Sequence, residues 1–300
     1  MPPVAAGAVA LAAALDVAIG EPPRQAHPVA WFGRAVGLID RPWPMPALVG
    51  LFAALVLPFA AGGFVGLAVV AAAGIHPLVA GALVGLVLFV TTSRRMLLET
   101  TRAVIGQSET DLATARADLR ALAGRDASSL SAGEVRSAAV ESAAENLADG
   151  LVAPLLYFAA IAPFSLPLAT GAAAWVKAVN TIDSMLGYPG KPVGMAGARL
   201  DDLVMWVPAR VAAALIAAAA IDPRALLVGR RWSRRPASPN SGAPMATLAA
   251  TLDVRLEKPG AYVLNPEAAL PSPERARRGA DIVGTAGAVA FVLAGVVAWL

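Results

Sequence analysis

"ALVGLFAALVLPFAAGGFVGLAVVAAAGIHPLVAGALVGLVLFVTT", residues 47–92, contains a single ionisable side chain, His76. Bilayer hydrocarbon is crossed by about 20 apolar helical residues. The run is therefore expected to hold two helices, broken near "GIHP" at 74–77. The rest of the 300-residue chain agrees: 57% is hydrophobic and only 15% charged, with a mean hydropathy of +0.65. Soluble domains carry roughly 45–50% apolar and about 25% charged residues. The excess is mostly Ala, Val, Leu and Gly, which suits helices packed closely in lipid. The expected fold is all-α: a polytopic helical membrane protein with about five or six hydrophobic spans.

Further spans are expected at 3–19, 151–176, 203–221 and 282–300. The prolines of "APFSLP" (162–167) offer two topologies. In one, every run crosses the bilayer. In the other, 151–176 and 203–221 are re-entrant, which backbone tolerates only where protein or a cavity covers it. The second is preferred because it gathers the polar motifs on one side. Cations cluster in 20–46, 94–150 and 222–280, which the positive-inside rule makes cytoplasmic. Residues 1–300 thus read as one integral membrane domain with a cytoplasmic helical insert at 94–150 and a cytoplasmic loop region at 222–280.

Within the insert, Ser108 and Asp111 have capping-box spacing, followed by Leu112, Ala115, Leu119 and Leu122 at helical period. Gly124 is expected to end that helix, and Ser131 with Glu134 to begin the next. Residues 229–280 read as ordered loops with at most short elements. The net charge of +3 excludes an electrostatic footprint for nucleic acid. The absence of cysteine excludes disulfides, thiolate metal sites and a cysteine nucleophile. The first apolar stretch lacks the basic flank of a signal peptide and is expected to stay as a helix.

Polar residues at membrane depth are the functional candidates. Glu141, Glu145 and Asp149 stand four apart, with no Lys or Arg between Arg136 and Lys177. Like charges at that spacing repel by about 0.2–0.5 kcal/mol per pair when exposed. A divalent cation or distant basic groups would relieve them; a solvated amphipathic face is the plainer alternative. Mg²⁺ suits such oxygen ligands, since it takes one or two carboxylates plus phosphate. Lys177, Asn180, Asp183 and Ser184 share a helical side, as a substrate site or a polar seam between helices. Arg199, Asp201 and Asp202 precede the apolar helix that contains Arg210. Arg210 is expected to pair with Asp183 or Asp202, or to face phosphate. Asn240 and Ser241 sit in "SPNSG" (238–242), a turn that can offer N–H groups to an anion. His27 is either a structural histidine or a base. The sequence contains no P-loop, HExxH or GxSxG pattern.

Taken in order, "GEPPRQAHPVAWFGR" (20–34), "ESAAENLADGLVAPLLYFA" (141–159), "KAVNTIDSMLGY" (177–188), "ARLDDLVMWVPAR" (198–210), "SPNSG" and "VRLEKPG" (254–260) resemble the adenosylcobinamide-phosphate synthase family of cobalamin biosynthesis, the CobD/CbiB proteins. Ala243 and Met245 depart from the family's pattern, which often has a bulkier residue at the first and a Glu at the second. The resemblance implies a multi-pass enzyme of the bacterial inner membrane. It implies an ATP-dependent ligase, with Mg²⁺, joining a carboxylate of adenosylcobyric acid to aminopropanol or its O-phosphate. Partners would be those substrates, the lipid bilayer and other membrane enzymes of corrinoid assembly. Under that chemistry Glu141, Glu145 and Asp149 take the metal or the ammonium. Asp183, Asp201 and Asp202 serve as metal ligand or base. Lys177, Arg199 and Arg210 face phosphates. Asn180, Ser184, Asn240, Ser241 and His27 complete substrate binding. Two other readings stand beside it: an intramembrane prenyltransferase using Asn/Asp-held Mg-diphosphate, and a non-catalytic corrinoid transporter or scaffold.

Overall fold

Proline placement sets many of the helix starts, because a residue without an N–H fits the first turn. The computed structural model describes residues 2–123, 126–188 and 190–300. In chain order its helices are α1 (Pro2–Ile19), α2 (Pro28–Gly37), α3 (Pro46–Ile75), α4 (Pro77–Thr91), α5 (Arg95–Thr110), α6 (Leu112–Asp118), α7 (Ala132–Leu147), α8 (Ala153–Ile161), α9 (Leu166–Leu186), α10 (Met195–Val204), α11 (Trp206–Ala219), α12 (Arg224–Gly229), α13 (Gly242–Leu252) and α14 (Pro273–Trp299). Strands β1 (Leu256–Lys258) and β2 (Tyr262–Leu264) form one antiparallel hairpin. Gly260, at φ +74°, makes its turn.

The break between α3 and α4 falls where the sequence places it. His76 is extended, and its side chain caps α4 by accepting from the Leu78 N–H. Among the described residues, five helical runs are long and apolar enough to span a membrane, or six if Pro192–Val204 and Trp206–Ala219, bent by 50°, count as one. Outward faces support this: Phe52, Phe59, Phe64 and Leu67 of α3 are exposed. A patch of that size is stable in lipid rather than in water.

Several boundaries differ from the sequence reading. No single span covers 151–176. The candidate span is Ala132–Ile161, and the chain breaks at 162–165 before α9 packs back on α8. The acidic stripe thus lies within a longer helical run rather than ahead of it. Asp111, not Ser108, caps α6, accepting from the N–H groups of Ala113 and Thr114. Ser108 is internal to α5, where its hydroxyl donates to the Ile105 carbonyl. The Ser131–Glu134 capping box is present and starts α7. The expected stop at Gly124 lies outside the described residues. Residues 229–280 are more regular than expected, since α13 runs for 11 residues and is largely buried.

Contacts divide the chain into two compact units. The first comprises Met1–Ser93, Asp149–Met205 and Phe291–Leu300. There α3 and α9 make the broadest contact, crossing at Gly62 and Gly171, and α1 pairs with α4. An apolar cavity of about 730 Å³ opens beside the crossing, lined by Phe59, Tyr157 and Trp175 among others. The second unit comprises Arg94–Ala148 and Trp206–Ala290. In it α7 packs on α5 and α13, and α13 on α11 and α12.

Candidate functional site

The stripe residues differ in environment. Glu141 is fully buried, and Glu145 is half-buried. A π-helical turn at Ala148–Val152 follows α7, so the strict four-residue period ends before Asp149, which is half-buried. Such turns recur at functional sites. Glu141 and Glu145 belong to the second unit, and Asp149 to the first. Asn146, beside the stripe, donates to the Ser142 carbonyl.

In the first unit the end of α9 and the following α10 carry the next group. Asp183 is half-buried and close enough to Asp202 for their negative charges to interact. Its carboxylate folds over Gly187, so that a Cβ there would lie 1.9 Å from Oδ1. Asp201 is buried. Arg199 is exposed and stands 3.9 Å from Asp202 across one helical turn, a geometry worth little in water. Ser184 is exposed, its hydroxyl donating to the Thr181 carbonyl, and Asn180 is half-buried. Among the described residues, no group of three or more His, Asp or Glu side chains is arranged to hold a metal.

The turn from α1 into α2 brings His27 and Glu21 together. His27 is buried, and its Nδ1 caps α2 by accepting from the Val29 N–H at 3.2 Å. Its Nε2 is 3.4 Å from Glu21 Oε2. Burial pushes the Glu21 carboxyl up, but hydrogen bonds from His27 and Ser93 and the charges of His27 and Lys177 outweigh it and hold the pKa below the usual glutamate range. Lys177, half-buried on α9, interacts with Asp149 as well as Glu21. Sequence reasoning singled out His27 and passed over Glu21 and Ser93. Glu21 sits within the quoted motif, but its partners are remote in the chain.

In the second unit Arg210 does not take a carboxylate. Its Nη1 donates to Asn240 Oδ1 at 2.6 Å and to the Trp206 carbonyl at 3.0 Å. Nη2 donates to the Pro239 carbonyl at 3.0 Å, and the guanidinium lies 4.6 Å from the Trp206 ring centroid. The expected ion pair is therefore replaced by carbonyl oxygens and an aromatic face. Physically, neutral acceptors on a turn leave the guanidinium charge uncancelled. Asn240 is buried, and Ser241 stands at the start of α13 without capping it by its side chain. A helix start and a cation at one turn favour an anion. Met245 is buried, and the Tyr262 hydroxyl donates to its Sδ; a carboxylate is absent there.

Fold and polar groups together define a multi-pass helical membrane protein with charged side chains at its helix ends and turns. The family model described as CobD/Cbib protein matches residues 9–289. Relatives include a probable cobalamin biosynthesis protein CobD of Methanothermobacter thermautotrophicus, 35% identical over 85% of this chain and 84% of the relative. The cobalamin biosynthesis protein CobD of Geobacter metallireducens is 39% identical over 88% and 85%. The cobalamin biosynthesis protein CbiB of Salmonella choleraesuis is 34% identical over 83% and 81%. The chain belongs to the CobD/CbiB family of cobalamin biosynthesis proteins. No solved structure matches it.

Proposed function

We propose that this chain is an ATP-dependent ligase of the bacterial inner membrane, joining a carboxylate of adenosylcobyric acid to aminopropanol or its O-phosphate. The family match over residues 9–289 carries the reading, and the residue chemistry supports it. A carboxylate does not condense with an amine unaided, because its oxygen is a poor leaving group. In the first step a carboxylate oxygen attacks the γ-phosphorus of ATP, forming an acyl phosphate and releasing ADP. In the second the free amine attacks the acyl carbon. The C–N bond forms, the C–O bond breaks with phosphate leaving, and a base takes the amine proton.

The protein's share is to bind, orient and neutralise charge. Arg210, held at its turn by Asn240 and the Pro239 carbonyl, offers positive charge to phosphate, with Ser241 at the start of α13. Asp183 and Asp202 repel one another, which equips them to hold Mg²⁺ or to accept the amine proton. Bound Mg²⁺ would supply charge neutralisation to phosphate oxygens. Glu145, half-buried, is a second acid for the ammonium.

The test uses membranes containing the full chain, supplied with ATP, adenosylcobyric acid and amine. The expected product is an amide whose formation consumes ATP only when both acid and amine are present. No such product from the wild type refutes the ligase reading. Near-normal turnover in both Glu145→Gln and Asp183→Asn refutes the residue roles alone.

A further inference from the structure

The turn that joins α2 to α3 reads "LIDRPWPM" (38–45) and places a cation and an indole just ahead of a candidate membrane span. Pro42 and Pro44 stiffen it by fixing φ. The Ile39 carbonyl accepts both the Arg41 N–H at 2.8 Å and the Trp43 Nε1–H at 3.0 Å. With the indole so held, the Arg41 guanidinium lies 4.1 Å from its ring centroid, where the ring's quadrupole attracts a cation. The neighbouring acid, Asp40, is taken by Lys191, whose Nζ stands 2.7 Å from Oδ2. Arg41 is exposed, and among the described residues no carboxylate pairs with it. Its charge is therefore oriented but not cancelled.

An open apolar groove of about 510 Å³ begins at the same turn. It is lined by Ile39 and Trp43 and, on α3, by Leu48, Phe52, Val56 and Leu57 among others. Its floor is fixed by packing: Ile39 and Leu57 rest on the buried cluster of Val36, Ile182 and Leu186. The start of α3 is seated so closely on Val193 that a Cβ on Gly50 would overlap the Val193 carbonyl. The outer edge is free, since Leu48, Phe52 and Val56 are exposed. From Leu48 to Leu57 a helix rises about 14 Å, at roughly 1.5 Å per residue. One leaflet's share of the hydrocarbon core is about 15 Å, half of roughly 30 Å. The groove is thus as long as one leaflet is deep, and its cation stands at the headgroup end.

We propose that this face of α3 binds one anionic phospholipid of the surrounding bilayer, with an acyl chain in the groove and the lipid phosphate on the Arg41 guanidinium. The planar fork of arginine matches two phosphate oxygens. Trp43 is the kind of residue that sits at headgroup level, and cations flanking a span draw anionic lipid. A second copy of the chain matches the patch less well. Across a two-fold axis the patch would meet itself, cation toward cation, with Asp40 already held by Lys191. The lipid site goes beyond the ligase reading and needs none of its chemistry.

The experiment reconstitutes the full chain in phosphatidylcholine bilayers. Anionic phosphatidylglycerol or zwitterionic phosphatidylethanolamine, each with brominated acyl chains, is then added to quench a fluorophore on contact. The chain has no cysteine, so a single Leu51→Cys, exposed but outside the groove lining, carries the fluorophore. Half-quenching is expected at about a fivefold lower mole fraction of phosphatidylglycerol than of phosphatidylethanolamine, the effect of one interfacial cation. Arg41→Gln should abolish that preference, and Arg41→Lys, which keeps the charge without the fork, should retain part of it. Val56→Phe narrows the groove and should weaken quenching by both lipids. Leu55→Phe, exposed but outside the lining, should weaken neither. Should Val56→Phe fail to fold, Phe52→Ala removes a wall at an exposed position and should weaken both in its place. Equal quenching by the two lipids in the wild-type background, a preference that survives Arg41→Gln, or identical behaviour of Val56→Phe and Leu55→Phe each overturn the proposal. So does self-quenching that rises with protein density and ignores the headgroup, which would give the face to a second copy. Every one of these outcomes leaves the ligase reading untouched.

Discussion

Gly62 of α3 and Gly171 of α9 cross with their backbones in contact: a Cβ on either would meet the other's carbonyl oxygen at 2.7 Å. Backbone cannot yield as a flexible side-chain tip does, so the helices themselves would separate. Overpacking of this kind costs about 1–3 kcal/mol. Gly62→Ala and Gly171→Ala are therefore expected to lower the thermal midpoint of the detergent-solubilised protein. Gly63→Ala, with nothing within 4 Å of the added methyl, is the control and should leave the midpoint unchanged or slightly raised. Equal midpoints in all three would remove the crossing from any account of how α3 and α9 are held.

Asp183 and Asp202 predict effects of opposite sign on stability and activity. Burial first, and then the charge of Asp202, raise the free energy of the charged form of Asp183. Asp183→Asn removes both costs and should leave the thermal midpoint equal to or above wild type. If the pair binds Mg²⁺ or takes the amine proton, the same variant loses most amide-forming turnover. A fall in both midpoint and turnover would show a structural pair instead.

The helix break at His76, the capping box at Ser131 and the apolar character of α3 and α4 were legible because each depends on residues within one or two turns. Distant partners were not. Arg210 looked like half of an ion pair, since an intramembrane cation calls for an anion. A carbonyl and a neutral amide from 29 and 30 residues away meet it instead. Likewise Glu21 gains its meaning from Ser93 and Lys177, and no local pattern joins three positions so far apart. The capping-box reading at Ser108 failed because α5 continues through it. There the hydroxyl is satisfied within its own helix, and the acidic Asp111 side chain takes the cap.

Arg210 joins Asn240 and the Pro239 carbonyl through a planar fork, and stacks on Trp206. Lysine carries the charge but not the geometry. Arg210→Lys is expected to destabilise the protein by about 1–3 kcal/mol, the cost of a lost charge-assisted hydrogen bond. Asn240→Ala should weaken it similarly, and the double variant should be less than additive because the two share one contact. Denaturant or thermal unfolding of the four proteins in detergent supplies the cycle. Strict additivity would mean that the clamp contributes nothing as a pair. Under the phosphate role, KM for ATP rises in Arg210→Lys as well.

The Glu21 carboxyl carries its own pH signature. Its folded pKa lies below the ordinary glutamate value, so the folded state binds the proton less tightly than the unfolded chain. A carboxylate of this kind contributes stability that is fully present above its unfolded pKa and is lost as pH falls through the lower, folded one. Glu21→Gln lacks that contribution at every pH. Near neutrality wild type should therefore unfold at a higher temperature than Glu21→Gln, and the gap should close as acid is added through the carboxylate range. Burial works against the effect and the groups that face Glu21, His27, Ser93 and Lys177, work for it. Removing the Lys177 charge in Lys177→Gln should accordingly narrow the gap and move its closure to higher pH. A gap that stays constant from neutral to acid pH would place the Glu21→Gln defect in packing rather than in the carboxylate's charge.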